Sequence, residues 1–128
     1  MMRPALPAVM LALVLMACSG SPQEPVGATD VYLDEFFITV DGPLATGTVD
    51  LSVTNDGEFA HTLLVTGPDG SVIAATELVA PGTTVDLGLD LPPGRYRLSC
   101  RIVVQDRDGG IIDHFEEGMR AGVEVVDT

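Results

Sequence analysis

Residues 48–55 read TVDLSVTN, and their side chains alternate between polar and apolar from Thr48 to Thr54. On an extended chain Val49, Leu51 and Val53 fall on one face, and the intervening polar side chains fall on the other. A helix would spread the same apolar residues around its circumference, so the period of two indicates a half-buried β-strand. The turn sequence NDG follows at once and ends the strand.

The same alternation recurs along the chain between turns that contain Gly or Pro. Further strands are predicted in VYLDEFFITV, HTLLVTG, SVIAATELV, TVDLGLDL, RYRLSC and AGVEVV, and the side chains expected to point inward include Phe36, Ile38, Val40, Val85, Leu87, Leu89, Leu91, Tyr96, Leu98, Cys100, Val123 and Val125. About seven short strands without a convincing helix predict an all-β protein, an antiparallel Greek-key β-sandwich or barrel. The pattern does not determine the strand order.

The first residues, MMRPALPAVMLALVLMACSG, are organised like a bacterial export signal. One arginine precedes the apolar residues 5–16, a run shorter than the roughly 20 residues of a membrane-spanning helix. Residues 15–18, LMAC, resemble the lipobox at which bacterial lipoproteins are cleaved and acylated. This resemblance implies a signal peptide over residues 1–17, a lipid anchor on Cys18 and a location on the extracytoplasmic face of the membrane. An ordinary cleaved signal peptide is the alternative.

The remainder divides into a tether and one domain. Residues 18–29, CSGSPQEPVGAT, lack a hydrophobic period and are rich in Ser, Pro and Gly, which predicts a flexible linker. Residues 30–128 are long enough to bury a core of their own. The formal net charge of −13, with no lysine, argues against nucleic acid as a partner, because phosphates would be repelled. Such a charge fits either a solubility role or a cationic partner.

Beyond Cys18 the chain holds few side chains that bind soft metals: His61, Cys100, His114 and Met119. A single cysteine in an exported domain has no intramolecular disulfide partner, which leaves burial as an apolar side chain or ligation of a metal. Each of the four residues taken alone is easily explained as core or surface. Together, two histidines, one cysteine and one methionine match the ligands of a mononuclear copper centre with a weak axial thioether.

The order of these residues resembles that of the cupredoxins, the blue copper proteins related to plastocyanin and azurin. NDGEFAHTLLV resembles the strand that supplies the first histidine, and LVAPGTTVDLGLDLPPGRYRLSC resembles the strand pair that ends in the ligand cysteine. HFEEGMRAGVEVV resembles the closing segment with the second histidine, the methionine and the last strand. The resemblance covers nearly all of residues 30–128 and implies one copper ion held by these four residues. Asn55 and Asp113 are candidates for supporting the ligands through hydrogen bonds.

One feature departs from the family pattern. Thirteen residues separate Cys100 from His114, whereas cupredoxins usually place only a few residues there. The intervening apolar residues flank the polar turn DRDGG, which predicts a β-hairpin. With Arg107 at the apex and Gln105 opposite Gly109, Cys100 and His114 would share one face of the ribbon. A register shifted by one residue would separate them.

The resemblance implies a membrane-anchored protein that passes single electrons between extracytoplasmic protein partners. One alternative is a lipoprotein for copper delivery or buffering that uses the same site without a redox partner. Another is a metal-free β-sandwich interaction module in which Cys100 and Met119 are merely packed. An enzyme is not expected, because a single ion with four protein ligands leaves no open position for a small-molecule substrate.

Overall fold

A computed structural model describes residues 27–126 of the protein. The predicted signal peptide, the predicted lipidation site Cys18 and most of the predicted tether lie outside the described residues. Strand β1 begins at Gly27, so its first three residues come from the end of that tether. Among the described residues there is no helix long and apolar enough to cross a membrane.

The described residues form two sheets and a separate ribbon. The strands are β1 (Gly27–Asp34), β2 (Phe37–Val40), β3 (Leu44–Ala45), β4 (Gly47–Asn55), β5 (Leu64–Thr66), β6 (Val72–Ala75), β7 (Thr84–Leu91), β8 (Gly94–Ser99), β9 (Val103–Gln105), β10 (Ile111–Asp113) and β11 (Arg120–Val126). The sheets have the orders β2-β1-β4-β7 and β3-β11-β8-β5-β6, and β9 pairs with β10 alone. The predicted all-β sandwich is confirmed, although β1 pairs with β4, and β3 with β11, in parallel.

Side chains from both sheets form one core, as the alternating pattern predicts. Val49, Leu51 and Val53 of β4 are fully buried, and Tyr96 and Leu98 of β8 are buried within the same cluster. Full burial of one such aliphatic side chain stabilises the fold by about 1.5–3 kcal/mol. The central strands of the two sheets therefore hold the sandwich together.

The segment VYLDEFFITV is a hairpin, so the expectation of one continuous strand is wrong. The chain reverses after Asp34, and Phe36 takes a positive φ of 64° in the turn. Directly opposed residues of a hairpin share a face, as Leu33 and Ile38 do here. The inward positions therefore change from odd residue numbers in β1 to even residue numbers after the turn, and Phe36, Ile38 and Val40 still pack against the core as predicted.

The segment HTLLVTG becomes a regular strand later than expected. Strand β5 starts at Leu64, where it pairs with β8 and β6. His61 lies before it and forms an isolated bridge with Val79. That bridge fixes the backbone of His61 where the chain enters the second sheet.

Truncation of Leu51 tests the core. Its side chain is fully buried in β4, between the partners Thr29 of β1 and Leu87 of β7. Leu51→Ala should lower the free energy of unfolding by about 2–5 kcal/mol, because it removes buried methyl groups and leaves a cavity. Leu78→Ala is the matched control, since Leu78 is 63 % exposed, and it should cost less than about 0.5 kcal/mol. Denaturant unfolding measures both, and equal losses would contradict this core.

Candidate metal centre

Three of the four predicted ligands meet inside the sandwich. Nδ1 of His61 lies 3.2 Å from Nδ1 of His114, and Sγ of Cys100 lies 4.0 Å and 3.7 Å from these two atoms, respectively. All three side chains are fully buried. Cys100 directly follows β8, His114 directly follows β10, and His61 precedes β5. The site therefore forms where the ends of three segments converge.

The spacing of the three atoms fits a bound metal ion. A point equidistant from the two Nδ1 atoms and the sulfur lies about 2.1 Å from each. Metal–imidazole bonds are about 2.0–2.1 Å and metal–thiolate bonds about 2.3 Å, as in zinc sites. A transition-metal ion therefore fits among the three atoms with little movement of the side chains.

The long segment between Cys100 and His114 forms the predicted hairpin, but in a different register. Gln105 pairs with Ile111, so the expected pairing of Gln105 with Gly109 is wrong by two residues. An even offset keeps every side chain on its expected face. The expected proximity of the Cys100 sulfur and the His114 ring is therefore confirmed.

The side chain of Asp106 explains the different register. Its carboxylate accepts hydrogen bonds from the backbone N–H groups of Asp108, at 2.9 Å, and Gly110, at 2.6 Å. Gly109 has a positive φ of 84°, which a glycine adopts without strain. Asp106 and Gly110 thus close the loop, and the apex is the pair Arg107 and Asp108 rather than Arg107 alone.

Asp113 shapes the turn that carries His114. Its carboxylate accepts hydrogen bonds from the backbone N–H groups of Phe115, at 3.0 Å, and Glu116, at 3.2 Å. The backbone N–H of His114 also donates to the carbonyl oxygen of Ile102, at 3.0 Å. Asp113 therefore fixes the backbone that follows His114, and the hydrogen bond to Ile102 fixes the backbone of His114 itself.

Met119, the fourth predicted ligand, connects Cys100 and His114 through its backbone. Its N–H donates to the carbonyl oxygen of His114, at 2.9 Å, and its own carbonyl oxygen accepts from the N–H of Cys100, at 3.0 Å. Gly118 makes the tight approach possible with a positive φ of 122°. The side chain of Met119 is fully buried in the same core as Cys100.

Asn55 supports the segment of His61, as its place in NDGEFAH suggested. Its amide nitrogen donates to the carbonyl oxygens of Phe59, at 2.8 Å, and Val79, at 2.9 Å, and its amide oxygen accepts from the N–H of Gly57, at 2.8 Å. Val79 in turn exchanges two backbone hydrogen bonds with His61. One buried amide thus ties together the loop before the histidine and the strand beside it.

Glu35 is a site residue that the sequence pattern did not reveal. Its carboxylate accepts hydrogen bonds from the backbone N–H groups of Glu58 and Phe59, and its Oε1 lies 3.7 Å from Nε2 of His61. Burial acts to raise the pKa of Glu35, but the hydrogen bonds from Phe59 and Glu58 outweigh it and lower the pKa. The turn after Asp34, which contains neither glycine nor proline, brings this carboxylate to His61.

The next residue of the same turn covers the other histidine. The ring of Phe36 packs edge-on against His114, with ring centroids 5.5 Å apart, and Phe59 lies 6.3 Å from it. The positive φ of Phe36 is a strained conformation for an aromatic residue, and such strain concentrates at functional sites. The strain places Glu35 against one histidine and Phe36 against the other.

Both histidines are held neutral. Burial lowers the pKa of His61, the nearby His114 lowers it further, and Glu35 only partly opposes this. Burial also lowers the pKa of His114 against the opposing effects of Asp113 and Glu35. Neutral imidazole is the form that ligates metals. With both Nδ1 atoms facing the cluster, the buried Nε2 atoms have no hydrogen-bond partner among the described residues.

No family model matches the sequence, and no characterised protein matches it at the level of sequence. Solved structures do match. An auracyanin from Roseiflexus castenholzii has a TM-score of 0.58 and 18 % identity, covering 78 % of this chain and 96 % of its own. Auracyanin B has a TM-score of 0.61 and 16 % identity, and the match covers 83 % of this chain and 93 % of auracyanin B. Auracyanin A is described as a "blue" copper protein from Chloroflexus aurantiacus. It has a TM-score of 0.53 and 15 % identity, and the match covers 80 % of this chain and 100 % of auracyanin A.

Multicopper oxidases also match, but over only 28–42 % of their own length. The auracyanins match over nearly their whole chains, so the likeness is to a complete small protein of this type. At these identities it concerns the fold. The chain has the fold of the blue copper proteins, the cupredoxin fold that the sequence predicts.

The buried histidines give the metal-free protein a defined pH dependence. Because the pKa of His61 is lower in the folded protein than the ordinary value of 6.5, the unfolded chain binds more protons once the pH falls below about 6.5. The stability contributed by neutral His61 is therefore present above pH 6.5 and is lost as the pH falls towards the folded value. His61→Gln removes this titration, so the stability advantage of the wild type over it should shrink between about pH 7.5 and 5.5. Denaturant unfolding at both pH values measures the difference, and a constant advantage would contradict a neutral buried His61.

Gly57 tests the close packing between Glu35 and His61. A Cβ at residue 57 would collide with Oε1 of Glu35 and lie 3.1 Å from Nε2 of His61. Gly57→Ala should lower the free energy of unfolding of the metal-free protein by about 1–3 kcal/mol, because the Glu35 carboxylate must move away and lose its hydrogen bonds from Glu58 and Phe59. Gly122→Ala is the control, since a Cβ there meets nothing within 4 Å, and it should change stability by less than about 0.5 kcal/mol. Similar stabilities for the two variants would show that Glu35 does not pack against His61 in this way.

Proposed function

We propose that the protein binds one copper ion through His61, Cys100, His114 and Met119 and carries single electrons outside the cytoplasm. The observation that carries this proposal is the convergence of two Nδ1 atoms and one Sγ atom, 3.2–4.0 Å apart, in a fully buried cluster. A mixed set of imidazole and thiolate donors favours copper over its first-row neighbours. Two neutral histidines and one cysteine supply that set.

A copper ion in such a site alternates between Cu(I) and Cu(II) with little rearrangement of its ligands. The protein limits this rearrangement because the backbone of each ligand residue is held by hydrogen bonds. Cys100 and His114 are both hydrogen-bonded to Met119, and the backbone of His61 is paired with Val79. Thr62 brings its hydroxyl oxygen to 3.8 Å from Sγ of Cys100, where it can influence the charge on the sulfur.

Burial supports electron transfer rather than copper delivery or buffering. Release of an ion to another protein requires an incoming ligand to reach the site, whereas His61, Cys100 and His114 are all fully buried. Phe36 and Phe59 cover His114 further. Electrons cross a few ångströms of packed protein without opening it. The same enclosure leaves no position for a substrate, which supports a carrier rather than an enzyme.

The matched structures support the proposal, since auracyanin A is itself described as a "blue" copper protein. The N-terminal sequence supports a location: acylation of Cys18 holds the domain on the extracytoplasmic face of a bacterial membrane, where it exchanges electrons with protein partners. The linker predicted over residues 18–29 would give the domain reach from that surface.

Visible absorption after addition of Cu²⁺ tests the site. The purified protein should develop the intense thiolate-to-copper charge-transfer band, because Cys100 binds copper as a thiolate. Cys100→Ser should abolish the band, and His61→Ala and His114→Ala should weaken copper binding by about 10-fold or more. Cys18→Ser is the matched control for the other cysteine and should keep the full band.

Metal analysis accompanies every preparation, because zinc binds the same donors without colour. A copper-loaded protein without the band, or loss of the band in Cys18→Ser, contradicts the proposed ligands. Reducing and reoxidising the bound copper with one equivalent of electrons then distinguishes an electron carrier from a copper-delivery protein. An electron carrier keeps its copper through the cycle, whereas rapid loss of Cu(I) to a chelator would favour delivery.

A further inference from the structure

The two outer faces of the sandwich carry opposite charge. On the sheet β2-β1-β4-β7, the side chains that point away from the core include five aspartates and no arginine: Asp30, Asp34, Asp50, Asp86 and Asp90. On the other sheet, the outward positions of β8 and β11 carry Arg95, Arg97 and Arg120. Five arginines occur among the described residues, so most of the positive charge lies on one side of a strongly acidic protein.

Three of the arginines surround one aromatic ring. The guanidinium carbons of Arg101, Arg120 and Arg97 lie 4.1, 4.9 and 5.9 Å from the ring centroid of Phe115. Arg120 also donates a hydrogen bond from Nη1 to the carbonyl oxygen of Phe115, at 3.1 Å. We call this group of four residues, Arg97, Arg101, Phe115 and Arg120, the arginine plate. Such contacts hold the guanidinium groups in place at an exposed surface.

The arginines of the plate keep their charges available. All three are exposed, and none of the described arginines forms a salt bridge with a described carboxylate. Arg95 is different, because it lies opposite Glu124 in the sheet and outside the plate. The three exposed guanidinium groups around this ring are therefore free to pair with carboxylates of another molecule.

The plate is also continuous with the candidate metal centre. Arg101 follows Cys100, Phe115 follows His114, and Arg120 follows Met119. In each pair the first side chain is buried and the second is at least partly exposed. The plate is therefore the outer surface of the same segments whose inner surface holds three of the proposed ligands.

We propose that the arginine plate is a docking surface for acidic side chains of a partner protein. A guanidinium group can donate two parallel hydrogen bonds to one carboxylate. When the group stacks on the Phe115 ring, the N–H groups at the edge of the guanidinium plane remain free to form these bonds. A cavity of about 230 Å³, lined by Arg97, Ser99, Arg101, Phe115 and their neighbours on β5 and β6, gives the surface a concave shape. Discrete carboxylates of a folded partner fit this small, shaped patch.

Other anionic partners fit less well. Extended polyanions such as nucleic acid or an anionic bilayer contact a wide surface, and the net charge of −13 repels them outside the plate. A second copy could offer its acidic outer face, but two copies repel each other through the same net charge. Such stacking is also heterologous and has no natural end. An acidic patch on a different protein avoids both problems.

Docking on the plate needs no metal. The statement that it brings the partner beside the electron-carrying centre rests on the proposed function. A binding experiment on the metal-free protein, repeated on the copper-loaded protein, therefore keeps the two proposals apart. Docking without copper binding would leave the plate intact and overturn only the proposed function.

The test uses a hexaglutamate peptide with neutral ends and the ¹⁵N-labelled protein at about 20 mM salt, where charges are weakly screened. The side-chain Nε–H signals of Arg97, Arg101 and Arg120 should shift on titration, with smaller changes elsewhere. Arg101→Gln should weaken peptide binding about three-fold. Arg107→Gln, at the hairpin tip, makes the same charge change outside the plate and should weaken it clearly less. Phe115→Leu keeps all charges and should still weaken binding, because the guanidinium groups lose their support.

Several results would overturn the proposal: no shifts at the plate, equal weakening by Arg101→Gln and Arg107→Gln, or no effect of Phe115→Leu in a variant that remains folded by circular dichroism. Binding to phosphatidylglycerol vesicles but not to the peptide would assign the plate to a lipid surface instead. Concentration-dependent self-association in sedimentation, lost in Arg101→Gln, would assign it to a second copy. The wild-type shifts decide the location of binding even where a variant fails to fold.

Discussion

The candidate metal centre depends on an apolar sandwich that keeps two neutral histidines and one cysteine in contact. The Nδ1 atoms of His61 and His114 lie 3.2 Å apart, and both Nε2 atoms lack a hydrogen-bond partner among the described residues. Unpartnered buried polar groups cost about 1–3 kcal/mol each, so the surrounding sheets must hold this cluster against a tendency to open. The two Nδ1 atoms and the sulfur already face one another, so they are arranged to receive an ion.

The cluster is held in place mainly by backbone hydrogen bonds and one tight turn rather than by long side chains. Met119 links Cys100 to His114 by two main-chain hydrogen bonds, and one turn brings Glu35 to His61 and Phe36 to His114. Strain at Phe36 is tolerated because the paired strands β1 and β2 fix the turn between them. Rigidity at the site therefore comes from the same strand pairing that builds the core.

The sequence predicts features that depend on local periodicity and composition, and it predicts poorly those that depend on turns. The buried face of β4 follows from alternation, and the proposed ligands follow from the scarcity of His, Cys and Met. The turn at Glu35 escapes notice because it contains neither glycine nor proline, and its trace in the sequence is the shift of the inward positions from odd to even residue numbers. The hairpin register was wrong by two residues, yet Cys100 and His114 still meet, because only an odd offset would change faces. Glu35 and the ring of Phe115 acquire their roles from loop geometry, which no period reveals.

The charge separation between the two outer faces gives the domain a dipole across its thickness. The sheets of a sandwich lie about 10 Å apart, comparable to the screening length of about 8–10 Å near physiological salt. At long range a charged partner therefore experiences the net negative charge of the domain. At close range it experiences the dipole, which rotates the domain before the two molecules make contact. Ionic strength would then govern the orientation in which the domain arrives as well as the frequency of its encounters.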